Sequence, residues 1–155
     1  MKQSPLLLIG IVVSADGLSG LEDFFKALRD GSDCSFIIIQ QQTDSIENNL
    51  HKLLVSCTNL PIYKIEDGLH LEANSIYIAP PDQLVSLTEK RFHLEASPAS
   101  SFAPINFFFE SIVDWRERAV GVILSLDFED GAEGIQAISQ VGGLTLAVTP
   151  HTSQF

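Results

Sequence analysis

The sequence predicts an α/β fold: a mostly parallel sheet flanked by helices on both faces, with an antiparallel hairpin at one edge. Three observations carry this. Continuous apolar runs, Leu6–Val13 and Phe36–Ile39, have the composition of strands buried on both faces. Segments with apolar residues at helical spacing alternate with them. Leu84–Leu87 and Phe92–Leu94 nearly alternate around Glu89-Lys90, as the arms of a hairpin do.

Taken in order, Leu6–Val13 is the first strand. Leu18, Leu21, Phe25 and Leu28 recur at helical spacing, with Gly31 as a helix terminator. Ser35–Gln40 is the second strand. Thr43-Asp44-Ser45 offers N-caps to a helix with the apolar face Ile46, Leu50, Leu53, Leu54 and Cys57. Pro61–Ile65 is a short strand, Glu66-Asp67-Gly68 a turn, and Ile76–Ala79 a strand stopped by Pro80-Pro81. Beyond the hairpin, Pro98–Ser101 is a small-residue connection. Phe107–Arg118 is expected as one aromatic-rich helix with Phe108, Ile112 and Trp115 on one side. Ala119–Leu124 is a strand, Ala132–Val141 a helix ended by Gly142-Gly143, and Leu144–Val148 the last strand.

The 155 residues suffice for one domain with a sizeable core. No apolar run approaches the ~18 residues of a membrane span, and Leu6–Val13 is too short and wrongly flanked for a signal peptide. Acids outnumber bases 20 to 9, a formal charge of -11. Phosphate backbones repel such a surface, so no nucleic-acid partner is expected. Cys34 and Cys57 lack metal-ligand spacing and are expected as buried thiols of a cytoplasmic protein. Neither a metal nor a cofactor is expected.

In open α/β sheets, functional residues collect past the carboxyl ends of the strands. Ser14 stands there, in Val12-Val13-Ser14-Ala15-Asp16-Gly17-Leu18. It could present a nucleophilic hydroxyl to an oxyanion hole built from the amides of the first helical turn, around Ala15, Asp16 and Gly17. Taken alone, such a serine is more ordinarily an N-cap. Ser125-Leu126-Asp127-Phe128-Glu129-Asp130-Gly131 also joins a strand to a helix, and Asp130 could orient a base or simply cap. Of four histidines, His51, His70 and His93 read as surface residues; only His151 follows a strand at the ligand end.

The order and wording of these pieces resemble the catalytic domain of CheB-type protein-glutamate methylesterases along nearly the whole chain. Ser14-Ala15-Asp16-Gly17-Leu18 with Leu21-Glu22-Asp23-Phe24-Phe25 is similar to the family's serine turn and first helix. Leu60-Pro61-Ile62, Glu66-Asp67-Gly68 and Ile76-Tyr77-Ile78-Ala79-Pro80-Pro81 carry the most family-specific wording. Pro104-Ile105-Asn106-Phe107-Phe108-Phe109, Arg118 to Ser125, Asp130-Gly131-Ala132-Glu133-Gly134 and Gly142-Gly143-Leu144-Thr145 follow in order.

The resemblance implies a serine–histidine–aspartate triad with its serine at Ser14 and its aspartate at Asp130. The family's histidine follows the second strand in a pattern like valine-glutamine-histidine-leucine, and it falls on Gln41. A neutral amide has no useful basicity near neutral pH. Val12 and Asp16 replace family glycines, and Asp127 stands where methionine or threonine is usual. Phe102-Ala103 replaces a basic residue, and the family's closing segment is absent after Phe155.

The expectation is therefore a single domain, 1–155, degenerate and catalytically inactive, retained for binding in chemotaxis or sensory signalling. Its partner would be a chemoreceptor or another signalling protein, with a homodimer or a longer parent chain as the setting. The alternatives are an active esterase that uses His151 as a relocated base, and a sensor whose acidic pocket of Asp16, Gln41, Asp127 and Asp130 holds a cation or amine.

Overall fold

A computed structural model describes residues 6–14, 17–28, 33–40, 46–96, 103–124 and 130–147, except for the side chains of 46–48. Six parallel strands form the main sheet: β1 (Leu7–Val13), β2 (Cys34–Gln40), β3 (Ile62–Lys64), β4 (Ser75–Ile78), β7 (Ala119–Leu124) and β8 (Leu144–Ala147). Their order is β3-β4-β2-β1-β7-β8, so β1 and β2 are central. Every strand-to-strand pairing in this sheet is parallel, which puts all carboxyl ends on one edge.

The apolar runs are continuous because both faces are covered. Ile9, Ile11 and Val13 of β1 and Phe36 and Ile38 of β2 face α1 (Leu18–Ala27) and α2 (Ile46–Cys57), which contribute Leu21, Phe25, Leu50 and Leu54. Leu8 and Val12 with Ile37 and Ile39 face the other layer. There they meet α3 (Pro104–Ser111) through Phe108 and Phe109, and α4 (Ala132–Gln140) through Ile138. Gly10 pairs with Gly121 across β1 and β7, leaving a bare patch. Phe109 occupies it: a Cβ at Gly10 would lie 2.7 Å from the ring, and one at Gly121 would lie 2.8 Å from Ile135.

The hairpin strands β5 (Leu84–Thr88) and β6 (Arg91–Glu95) lie at the expected residues, joined through Glu89 and Lys90, both at positive φ. They form a separate two-stranded sheet; the edges of the main sheet are β3 and β8. The hydrogen bonds explain this placement. The outer side of β6 is taken by the loop after β3: Gly68 N–H donates to Phe92 O, Phe92 N–H to Leu69 O, and Leu71 N–H to Lys90 O. Val85, Leu87 and Phe92 then pack into the core beside Tyr77.

The expected helix Phe107–Arg118 is corrected in two ways. It begins at Pro104, a residue suited to the first helical position, and it ends at Ser111. Ile112 departs to φ -110°, and Val113–Arg118 is a 3-10 segment interrupted at Arg116 (φ 53°, ψ -123°). Arg118 stacks over Trp115 at 4.8 Å. Helix α1 stops at Ala27, ahead of Leu28 in extended conformation; Gly31, Thr43-Asp44-Ser45 and Pro98–Ser101 lie outside the described residues. Cys34 is buried and Cys57 half-buried, neither in a disulfide.

Candidate functional site

The strand order reverses between β1 and β7, the place where an open parallel sheet forms a crevice at its carboxyl edge. The register is continuous across the three central strands: Val13 pairs with Gln40 on one side and with Leu124 on the other. Ser14, half-buried, is the next residue after Val13. Its carbonyl accepts a hydrogen bond from Gly17 N–H at 2.9 Å, which closes the turn into α1.

Gly17 is held against the end of β7. A Cβ there would lie 1.7 Å from the Leu124 carbonyl oxygen, so only glycine lets the serine turn seat on the neighbouring strand. Its N–H is bonded to Ser14. In this geometry Gly17 packs the turn against β7, with its N–H engaged by the Ser14 carbonyl. Ala15, Asp16, Gln41, Asp127 and His151 lie outside the described residues.

Asp130 opens the way into α4. Gly131 follows at φ 127°, a conformation that favours glycine. The Asp130 carboxylate accepts two backbone hydrogen bonds, from Ile105 N–H at 2.6 Å and from Asn106 N–H at 2.9 Å. These are the first amides of α3, whose own N-cap position, Ala103, has no side-chain acceptor. The aspartate thus caps a helix distant in sequence and complements its positive end. Asn106 returns the service to α4, accepting from Gly134 N–H through Oδ1 at 2.8 Å.

Beside this edge Gln40 is 4% exposed, at the end of β2. Its Nε2 donates to Ala79 O at 3.5 Å, a weak contact, and its Oε1 has no partner among the described residues. The sequence reading concentrated on Gln41 and overlooked Gln40 and Asn106. Gln40 could have been singled out because it continues a fully buried strand as a polar residue. Asn106 carried no such local signal.

The cysteines offer no rival nucleophile. Burial pushes the Cys34 thiol above its ordinary range, with the Asp33 charge adding to the effect, and burial does the same to Cys57. Among the described residues no group of three or more His, Cys, Asp and Glu side chains is arranged to hold a metal. None of the described helices is long and apolar enough to cross a membrane.

The sequence model of the CheB methylesterase family matches residues 9–155. A protein of Bordetella avium, protein-glutamate methylesterase/protein-glutamine glutaminase 1, is 31% identical over 150 residues, covering 94% of this chain and 44% of its own length. An uncharacterized 104.1 kDa protein of Rhodobacter capsulatus is 32% identical over 107 residues, which are 66% of this chain and 11% of that protein. The chain therefore spans less than half of either relative. The crystal structure of the Thermotoga maritima CheB methylesterase catalytic domain superimposes with a TM-score of 0.79 at 21% identity, covering 92% of this chain and 79% of that one. At that identity the likeness establishes the fold.

Proposed function

The chain belongs to the CheB methylesterase family, and from that premise we propose that it is a degenerate member, without esterase activity, retained for binding in bacterial chemotaxis or sensory signalling. A chemoreceptor or other signalling protein in the cytoplasm is the partner of this reading. The observation that carries it is the pairing of Val13 with Gln40. In the sequence the next residues are Ser14 and Gln41, so where the family's general base would follow the strand, this chain has glutamine.

A serine hydroxyl needs a neighbour to take its proton as it attacks, and an amide does not do so. Asp130 supports the same reading from the other side. Its carboxylate is bonded to two amides of α3, a structural task that holds it in place whether or not a histidine is there to orient. The helix begins at Leu18 with Gly17 as its N-cap, so Asp16 stands in sequence just ahead of the first turn in which it was expected; a carboxylate near a helix's amino end suits the dipole but opposes developing negative charge on an oxyanion.

Incubation with a glutamate methyl ester in a receptor-derived peptide, reading methanol release, tests the proposal. The expected result is release at the background rate, unchanged by Ser14→Ala. Release that Ser14→Ala abolishes would establish a working esterase, and its loss in His151→Ala would identify the relocated base.

A further inference from the structure

The main sheet ends on β8, and among the described residues no backbone hydrogen bond reaches the side of β8 that faces away from β7. Leu144 and Leu146 pair with Val120 and Val122 of β7 and share their face of the sheet, the one that α1 and α2 cover further in. That cover stops short of β8: Leu144 is 57% exposed and Leu146 44%. Two exposed leucines beside a row of unpaired N–H and C=O groups form a template for another strand. The opposite edge differs. Strand β3 has three residues and carries Lys64, a charge of the kind that blunts an edge.

We propose that β8 pairs with β8 of a second copy of this chain, joining two sheets into one across an isologous interface. Charge narrows the occupant to a second copy. All 20 acids and 9 bases lie at or before Glu133, and residues 134–155 carry none, in a chain of net charge -11. A basic partner is drawn to the acidic surface elsewhere, and an acidic partner finds no cation on this strand. The neutral strip is where two acidic copies approach with least repulsion. Glu117 stands beside Gly142, ahead of the paired residues. The order of side chains fits the same occupant. Leu144-Thr145-Leu146 reads alike in both directions. A twofold axis through Thr145, perpendicular to the sheet, runs the two strands antiparallel. Opposed residues must share a face, and in this register they do. Leu144 opposes Leu146 of the second copy, and Thr145 opposes its counterpart. Each exposed leucine thereby gains a leucine neighbour, and two threonines meet on the other face.

The interface is independent of the esterase reading, since β8 carries none of the residues named for the triad. Sedimentation equilibrium of the 155-residue chain should show a monomer–dimer equilibrium with a Kd at or below about 100 μM. Leu146→Lys sets an ammonium opposite Leu144 of the second copy and should weaken the dimer at least tenfold. Val55→Lys, at an exposed site on α2, should leave it unchanged. In a Cys57→Ala background, Thr145→Cys should form a disulfide between copies on mild oxidation, because opposed residues stand about 4.5–5.5 Å apart between Cα atoms. Gln136→Cys, exposed on α4, should form one at least tenfold more slowly. If Leu146→Lys does not fold, the wild-type sedimentation and the disulfide decide. A wild-type chain that stays monomeric at about 1 mM would overturn the proposal. So would a dimer that Leu146→Lys leaves intact, or a Thr145→Cys variant that cross-links no faster than Gln136→Cys.

Discussion

Asp130 and Asn106 bind each other's helices. Asp130 accepts the Asn106 N–H at the start of α3, and Asn106 Oδ1 accepts the Gly134 N–H in the first turn of α4. The exchange is close because Gly134 lies tight against α3: a Cβ there would be 2.9 Å from Phe109 Cβ and 3.0 Å from Asn106 Cα. A residue that resembles a catalytic aspartate is therefore also the fastener between two helices on one face of the sheet.

Asp130→Ala should destabilise the protein by about 1–3 kcal/mol, since it removes a doubly bonded, charge-assisted cap. Asp130→Asn keeps an oxygen for one amide and should cost roughly half as much. Urea unfolding of the three proteins measures this. An Asp130→Ala midpoint equal to wild type would show that the cap contributes nothing and would return Asp130 to a purely catalytic account.

The seat of the serine turn predicts a contrast between two glycines. Gly17→Ala should cost at least about 3 kcal/mol, because the added carbon meets a backbone oxygen that cannot turn aside. Gly68→Ala should cost only about 1 kcal/mol. Gly68 has φ 87°, which strains a larger residue, but nothing lies within 4 Å of the added carbon. Thermal melts of both variants check the order; a Gly68→Ala protein less stable than Gly17→Ala would contradict the packing of the turn on β7.

Alkaline pH should weaken the fold through Cys34. Burial raises its pKa in the folded protein, with Asp33 contributing, while the unfolded thiol titrates near about 8.5. The unfolded state then loses its proton first and binds fewer protons, so stability is full below about pH 8.5 and falls as pH rises through the folded value. Tyr77, also raised chiefly by burial, adds the same trend above about pH 10. Cys34→Ala should show a smaller loss of urea midpoint between about pH 8.5 and 10 than wild type. An equal or larger loss in the variant would remove the thiol from the account.

The strands were legible because burial on both faces leaves mainly apolar side chains, and β1, β2 and β7 fall within a residue of the expected ranges. The place of the hairpin was not legible. Alternation in Leu84–Leu87 and Phe92–Leu94 reports two faces, not which backbone lies alongside, and the neighbour of β6 is an irregular loop with no strand pattern. Phe107–Arg118 misled because aromatic spacing runs through the break at Ile112. At the site, the Ser14–Gly17 turn was local and therefore readable. The bonds of Asp130 to α3 join residues 24 and 25 positions apart, and no local pattern announces them.

Replacing the missing base alone should not create an esterase. Gln41→His returns an imidazole whose ordinary pKa of about 6.5 suits general-base work. It leaves Asp16 in the sequence just before Gly17, the N-cap of α1, and Asp127 in the sequence after β7. The triad members act as a unit in serine hydrolases, where loss of the histidine alone costs roughly 10⁶ in turnover, and the oxyanion hole with substrate binding contributes a further roughly 10³–10⁴ of its own. Repair of one part of a constellation damaged in two should therefore recover little. Gln41→His is expected to release methanol within about tenfold of background, and Gln41→His combined with Asp16→Gly to exceed either single variant by about tenfold or more, each tenfold step being about 1.4 kcal/mol of barrier. The double variant's gain should vanish on adding Ser14→Ala. Full activity from Gln41→His alone would show that the acids do not disturb the oxyanion site, and would make the glutamine the sole lesion.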